Sequence, residues 1–145
     1  MKISTKGRYS LRMLLDLAEH KDDGFVALRD IAERQGISKK YLEQIVTLLN
    51  RAEFFHTNRG YQGGYMLAKE PREYSVGHIL RITEGGLDPV TCLGDGHNKC
   101  SRSADCQTLP IWQGLHRVIA DYLDNITLQD ILDDCSGKAV EEFLI

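Results

Sequence analysis

Residues 38–50 read SKKYLEQIVTLLN and have the pattern of a capped amphipathic helix. Ser38 suits a helix N-cap, because its hydroxyl can accept a hydrogen bond from an unpaired amide of the first turn. Apolar residues then recur at helical spacing and predict a buried face, namely Leu42, Ile45 and Leu49. The preceding LRDIAERQGI, residues 28–37, predicts a shorter amphipathic helix closed by a glycine turn. Two helices joined in this way indicate a helix-turn-helix, whose second helix presents polar residues to DNA. Those at its exposed front are Lys39, Lys40, Tyr41 and Gln44.

The segment after this helix predicts a β-hairpin wing. Residues 54–57 and 65–67 suit two short strands, and the intervening NRGYQGG, residues 58–64, offers three glycines for a tight turn. Arg59 would stand at the tip, where an arginine can contact the DNA backbone or a minor groove. A hairpin with a merely solvated arginine is the plainer alternative. Helix, turn and basic wing in this order favour a winged helix-turn-helix within a mainly α fold.

The charge of the chain is divided unevenly along its length. The net charge is −3 over 145 residues, yet the part through Arg72 carries 13 Lys and Arg against 9 Asp and Glu, and the remainder carries 5 against 12. The two balances, +4 and −7, place the basic half with the helix and the wing. Such asymmetry is expected when one end of a protein meets phosphate. Lys6 and Arg8, in a first helix predicted over residues 5–21, are further candidates, although such side chains are usually only solvated.

Two broad classes of function are disfavoured. The longest apolar run is too short to cross a bilayer and no signal peptide is visible, so we expect a cytoplasmic protein without a membrane partner. The sequence also contains no CxxC pair, no paired catalytic carboxylates and no P-loop. These patterns argue against an enzyme.

A polar loop with three cysteines is the second informative stretch. Cys92, Cys100 and Cys106 are separated by seven and five residues among Gly, Asp, Ser and Asn. Buried structural cysteines normally lie among apolar residues such as Leu and Val, and these three do not. A disulfide would be unusual in a reducing cytoplasm. A metal centre would explain the thiols, since a deprotonated sulfur needs a cation and the loop needs the centre to become ordered. The spacing leaves three alternatives: an iron-sulfur cluster, a zinc site completed by His97, and unligated redox thiols.

The loop leads into the most regular predicted helix, residues 109–125, for which Thr108 is the expected N-cap. An apolar stripe of four turns on so small a protein predicts a partner. Antiparallel pairing of this helix in a homodimer would suit a protein that reads two DNA half-sites. The stripe consists of Ile111, Leu115, Val118, Ile119, Tyr122 and Leu123.

The predicted organisation has three parts. Residues 1–73 form the winged helix-turn-helix, 74–134 carry the cysteine loop and the dimerisation helix, and 135–145 are a C-terminal tail. A short helix, LQDILDD, ends before Cys135, which we interpret as an incidental thiol among acidic residues.

Several motifs together resemble one known family. MKISTKGRY, SKKYLEQIVTLL, NRGYQGGYML, SVGHILRITEG and ITLQDIL are similar to the Rrf-two family of winged-helix regulators, which includes IscR, NsrR, RirA and CymR. The resemblance covers about residues 1 to 134. It implies a homodimeric transcription factor that binds a palindromic operator in double-stranded DNA. The positions that match the family's DNA-facing residues are Ser38, Tyr41, Glu43, Gln44, Arg59 and Gly60.

The resemblance also implies a cofactor. Cys92, Cys100 and Cys106 match the cysteines that hold an iron-sulfur cluster, of 2Fe-2S or 4Fe-4S type, in the sensor branches of the family. IscR proteins have a histidine three residues after the last cysteine, where this chain has Leu109. NsrR-like proteins use an acidic residue near the N-terminus of the partner chain, where this sequence has Arg8, so the fourth ligand is unassigned. Its candidates are Asp95, His97, Asp105, water and a small thiol. The cluster can be absent from the protein as purified.

The mechanism expected from these features is a coupling between two sites. Cluster binding would order residues 92–106 at the start of the long helix and change how the two recognition helices are spaced. Loss of the cluster to iron shortage, oxygen or nitric oxide would relax that arrangement. The alternatives are a CymR-like regulator of cysteine metabolism that acts without a cluster through a partner enzyme, and a zinc- or thiol-containing interaction module.

Overall fold

The computed structural model describes residues 1–96 and 100–141, with side chains for 1–93 and 100–135. Over these ranges the chain is mainly helical and forms one antiparallel hairpin, which confirms the predicted fold class. The helices are α1 (Thr5–Glu19), α2 (Leu28–Gln35), α3 (Lys39–Arg51), α4 (Val76–Glu84), α5 (Leu109–Asp124) and α6 (Leu128–Glu141), and the strands are β1 (Phe55–Asn58) and β2 (Gly64–Leu67).

The hydrophobic core joins α1, α2 and α3 to the base of the hairpin. Leu42, Ile45 and Leu49 of α3 are fully buried and belong to the same cluster as Ile31 of α2. Each such side chain contributes about 1.5–3 kcal/mol when it is removed from water. The predicted inner face of α3 is therefore confirmed, and its burial fixes which side of α3 is left for a ligand. Helix α1 adds Met13, Leu14 and Leu17 to the cluster.

Serine and glycine residues fix where these helices begin and end. Ser38 caps α3 as predicted, since its Oγ accepts a hydrogen bond from the amide of Tyr41 at 3.1 Å. Ser75 caps α4 in the same way through the amide of His78. At the end of α2, Gly36 adopts the left-handed conformation, with φ 63°, and turns the chain into α3. The glycine turn of the helix-turn-helix is thus present.

The hairpin differs from its prediction by one residue and has an additional partner. Strand β1 runs over Phe55–Asn58, whereas the sequence suggested 54–57. Val26, which precedes α2, exchanges two backbone hydrogen bonds with Tyr65, at 2.8 and 2.9 Å. This bridge explains Gly64, because a Cβ at that position would collide with the carbonyl of Val26. The base of the wing is therefore fixed to the start of the helix-turn-helix.

Helix α4 connects the first three helices and the hairpin to the rest of the chain. At its C-terminal end Glu84 accepts hydrogen bonds from the amide and the hydroxyl of Ser4, at 3.1 and 2.7 Å. Arg81 forms a two-point ion pair with Asp124 of α5, with N–O distances of 2.6 and 3.0 Å. Gly77 lies against the same aspartate, whose side chain would collide with any Cβ there. Specific polar contacts thus hold α4 to a neighbour on each side.

The last helix is longer than the sequence predicted. Helix α6 extends to Glu141, so the prediction of a short helix with Cys135 beyond it was wrong. Cys135 lies within the helix and is exposed. A helix that has been nucleated gains one backbone hydrogen bond with each added residue, which lets α6 continue through Ser136 and Gly137 despite their low propensity. Residues 142–145 lie outside the described residues.

A buried carboxylate fixes α1 to α2. Asp16 is almost fully buried and accepts hydrogen bonds from Arg34, at 2.6 and 3.0 Å, and from Gln35 at 3.0 Å. Burial alone would raise the pKa of Asp16, but the hydrogen bonds from Arg34 and Gln35 outweigh it and hold that pKa below its ordinary value. Arg12 of α1 adds a second link through Gln35 Oε1, at 3.2 Å.

Replacement of Arg34 with Met is expected to lower the free energy of unfolding at neutral pH by about 2 kcal/mol, because it leaves the Asp16 carboxylate buried with fewer donors. In the wild type, the depressed pKa of Asp16 contributes stability above the pKa of the unfolded carboxyl. This contribution is lost as the pH falls through the folded-state pKa. The variant has a higher pKa at Asp16, so the two proteins should become more alike in acid.

Urea unfolding measured from neutral pH down to about pH 3 tests this expectation. Arg72→Met is the matched control, since Arg72 is exposed and outside the Asp16 network. A stability difference between Arg34→Met and the wild type that does not shrink towards acid pH would contradict the role of the ion pair.

Candidate nucleic-acid interface and cysteine segment

The exposed front of α3 carries most of the residues that the sequence assigned to DNA. It offers cationic, amide, hydroxyl and carboxylate groups, the set of donors and acceptors that reads base edges in a major groove. Their individual contacts with DNA remain predictions. The exposed residues are Ser38, Lys39, Lys40, Glu43 and Gln44.

Tyr41 differs from these residues because packing holds its ring. It is half-buried and makes an edge-to-face contact with Tyr9 of α1, with ring centroids 5.6 Å apart. Arg12 lies over the ring of Tyr9, 5.2 Å from its centroid. Tyr41 therefore positions the start of α3 against α1, a role that its place in the sequence did not suggest.

The loop of the wing presents Arg59 and Gly60 as predicted. Both are exposed, and Gly60 has φ 113°, a conformation that favours glycine. The amide of Gly63 donates to the carbonyl of Gly60 at 2.9 Å and closes the turn. Tyr61, to which the sequence assigned no role, is fully exposed beside them.

A cleft of about 510 Å³ separates the front of α3 from the wing. Its lining includes Lys39 and Glu43 of α3, Arg59 and Tyr61 of the wing, and Arg29 of α2. Among the described residues, three cations against one carboxylate make this lining positive. Helix α3 with its lysines lies on one side of the cleft, and the wing with its arginine lies on the other. This arrangement allows α3 to enter a major groove while the wing meets the flanking minor groove.

The three cysteines of the polar loop lie in different local settings. Cys92 is half-buried in a short 3-10 helix, Thr91–Gly96, and Cys100 is exposed. Cys106 precedes α5, with its Sγ 3.4 Å from the hydroxyl of Thr108. Hydrogen bonds from the hydroxyl and the amide of Thr108 lower the pKa of the Cys106 thiol. Thr108 occupies the predicted N-cap position of α5, but its backbone is already helical and its side chain makes no capping hydrogen bond.

The described residues do not bring these thiols together as a metal site. Among them no three His, Cys, Asp or Glu side chains converge to hold an ion, and the cysteines are not joined by disulfides. Two candidates for the fourth ligand, His97 and the side chain of Asp95, lie outside the described residues, and a third, Asp105, is exposed. The segment offers the chemistry of thiol ligands, one of them with a lowered pKa, rather than an assembled site.

The apolar stripe of α5 divides into two faces. Ile119 and Leu123 pack against α4, in the cluster that contains Val76 and Leu80. The other face, here called the α5 outer face, is exposed, with between 41% and 67% of each residue accessible. An exposed apolar patch of this kind marks an interaction surface. The α5 outer face consists of Ile111, Leu115, Val118 and Tyr122.

A contact between α5 and the approach to the cysteine segment was not predicted. Nδ1 of His116, on α5, lies 3.3 Å from Oδ1 of Asp88. Asp88 comes shortly before Cys92, so the contact ties this end of the segment to the helix. The two residues belong to separate elements, and no local pattern in the sequence links them.

These features define a class of protein, a winged-helix regulator that binds DNA. A family model described as "Rrf2: Iron-dependent Transcriptional regulator" matches residues 3–134. The chain therefore belongs to the Rrf2 family, the Rrf-two family that its motifs resembled, and it is a transcriptional regulator rather than an enzyme. No helix within the described residues is long and apolar enough to span a membrane.

Similar proteins include two regulators named IscR and one named CymR. The HTH-type transcriptional regulator IscR of Pectobacterium atrosepticum is 37% identical over 134 residues, which cover 92% of this chain and 80% of the relative. The solved structure of T. potens IscR has 42% identity and a TM-score of 0.74, and the match covers 93% and 88% of the two chains. The structure of CymR (YrzC), the global cysteine regulator of B. subtilis, has 36% identity and a TM-score of 0.73, with coverage of 90% and 95%.

Proposed function

We propose that the protein is a homodimeric transcription factor whose promoter binding is controlled by an iron-sulfur cluster on Cys92, Cys100 and Cys106. The observation that carries this proposal is the position of the cysteine segment immediately before α5, whose outer face is apolar and exposed. A cofactor that reshapes the segment would act directly on the helix that joins the subunits.

The α5 outer face supports the dimer. Its four apolar residues would remain in water in a monomer, whereas pairing with the same face of a second copy would bury them around a two-fold axis. A two-fold dimer presents two copies of α3, as a palindromic operator requires. Because promoters lie in the cytoplasm of a bacterial cell, we expect a protein with this function to act there.

The DNA contacts follow from exposure on α3 and the wing. Base edges would be met by the front of α3, and the minor groove by Arg59 with Gly60. Tyr41 would contribute mainly by holding α3 in position against Tyr9. The residues of α3 and its N-cap that we propose to contact bases are Ser38, Lys39, Lys40, Glu43 and Gln44.

The chemistry of the cysteine segment fits an iron-sulfur cluster in part. The three thiols match the usual ligand type, and the lowered pKa of Cys106 favours the thiolate that iron requires. When bound, the cluster would supply a redox-sensitive crosslink among the three sulfurs. The segment would have to close around it, and this closing is the conformational change that we expect to reach α5.

Anaerobic purification followed by quantification of iron, sulfide and zinc tests the cofactor. We expect iron and sulfide together with a brown visible absorption, both lost in Cys106→Ala. Zinc without sulfide in a colourless protein would instead support the zinc module. A preparation that binds neither metal under anaerobic reconstitution would end the cluster proposal.

A regulator that acts without a cluster is the second candidate. It is favoured by the similarity to CymR, which extends over 90% of this chain. Such a protein would control cysteine metabolism together with a partner enzyme. Metal-free protein with full operator affinity would support this candidate.

A further inference from the structure

We propose that the cleft between α3 and the wing holds the sugar–phosphate backbone of one DNA strand, and that Arg29 and Tyr61 are additional DNA contacts there. The inference rests on the proposed mode of DNA binding and adds two residues to it. Neither residue belongs to α3, and no motif in the sequence assigned a role to either.

The place of the cleft between two DNA-reading elements determines its occupant. A duplex that receives α3 in a major groove and the wing in the neighbouring minor groove has a phosphate backbone between those grooves. Whatever lies between α3 and the wing must face that backbone. The cleft lies there, and Arg29 and Tyr61 form part of its lining.

Arg29 has the charge and the freedom that a phosphate ligand needs. Its side chain is 82% exposed, and the neighbouring carboxylate of Asp30 lies 3.9 Å from Nε, too far for a strong hydrogen bond. Among the described residues, Glu43 is the one carboxylate in the cleft lining, while Asp23 and Asp30 line an adjoining depression that Arg29 and Tyr61 share. A phosphate offers a guanidinium the two-point contact that these carboxylates do not provide.

Tyr61 belongs to the wing and lines the cleft beside Arg59. Its fully exposed ring leaves a large apolar surface in water. Contact with a sugar would cover part of that surface, and the hydroxyl can donate to a phosphate oxygen, as tyrosine commonly does in protein–DNA complexes. Arg29 and Tyr61 would thus both contact the backbone that lies in the cleft.

Contacts with phosphate and sugar carry no base information, and this property separates them from contacts made by α3. Loss of Arg29 should weaken binding to every sequence by a similar factor. It should also reduce the salt dependence, because fewer counterions are released when fewer phosphates are neutralised.

The test measures affinity over a range of salt for two short duplexes, a palindromic one that the wild type selects from a random library and a scrambled one of the same composition. We expect Arg29→Gln to weaken binding to both duplexes equally and to reduce the slope of log K against log salt by about 0.9 for each phosphate that the variant no longer neutralises. Tyr61→Ala should weaken binding to both duplexes equally. Tyr61→Phe should also weaken binding to both, but by less than Tyr61→Ala does.

Arg72→Gln is the control for loss of an exposed arginine outside the cleft, and we expect it to bind as the wild type does. If Arg29→Gln and Tyr61→Ala bind like Arg72→Gln, the inference is overturned while the DNA-binding function stands. If Arg29→Gln weakens binding to the palindromic duplex alone, Arg29 contacts bases and the backbone assignment is wrong. A wild-type protein that selects no duplex from the random library would instead overturn the proposed function.

Discussion

Val118→Glu is expected to convert the protein from a dimer to a monomer and to weaken operator binding by at least about 100-fold. Val118 is 65% exposed in one chain and lies in the middle of the α5 outer face. Pairing of two copies would bring both new carboxylates into an apolar interface, and burying each charge costs several kcal/mol. A monomer holds one half-site only, and each 1.4 kcal/mol of binding free energy that is forfeited is a factor of ten in affinity.

Sedimentation and operator titration of the same samples measure the two effects together. Gln113→Glu is the matched control, because it adds the same charge at an exposed position on the opposite side of α5. Circular dichroism checks that both variants remain helical. A Val118→Glu protein that still sediments as a dimer would show that another surface joins the subunits.

Cys92→Ala is expected to change operator affinity by about 5- to 150-fold relative to cluster-loaded wild type, the usual range of coupling between two sites. The variant cannot complete the thiol set, so its segment should not close and α5 should remain in its unloaded position. The measurement compares anaerobically reconstituted proteins on several promoters, since a cluster can raise affinity at one operator and lower it at another.

Cys135→Ala is the control for the loss of a thiol. Cys135 is exposed on α6 and is not one of the three proposed ligands. We expect this variant to keep the cluster absorption and the wild-type affinity. Equal affinities of Cys92→Ala and cluster-loaded wild type at all promoters would refute the sensor, whereas loss of the cluster in Cys135→Ala would show that the ligand set is wrong.

Helix α3 could be predicted in detail because its signals are local. The capping serine, the spacing of Leu42, Ile45 and Leu49, and the glycine turn before it all lie within one short stretch. Each is a preference of the chain over a few residues, and tertiary packing did not override any of them. Once the buried face of α3 was predicted, the exposed face could be predicted as the opposite side of the helix.

Contacts between distant residues could not be predicted in the same way. The bridge from Val26 to Tyr65 and the ion pair between Asp16 and Arg34 join elements whose approach no spacing reveals. The stripe of α5 illustrates the same limit, because periodicity indicated one apolar surface and packing against α4 divided it in two. The residues of the stripe that pack within the chain can be identified only when the position of α4 is known.

The cysteine segment was identified by composition, but its local geometry was not. Three thiols in a polar loop predict a ligand set, yet the pairing of Cys106 with Thr108 depends on how the chain enters α5. The sequence had assigned that threonine to the helix as a cap. Short polar residues beside a helix can serve either neighbour, and sequence alone does not decide between them.

The ion pair between Arg81 and Asp124 has a consequence for how such regulators diversify. In a dimer joined through α5, the distance between the two copies of α3 depends on the nine residues of α4. This helix is held to the start of α1 through Glu84 and to α5 through Arg81. Substitutions around Gly77 would alter that separation while every base-contacting side chain stays the same. In such a dimer, the residues that set the spacing of the two half-sites would therefore be different from the residues that read their sequence.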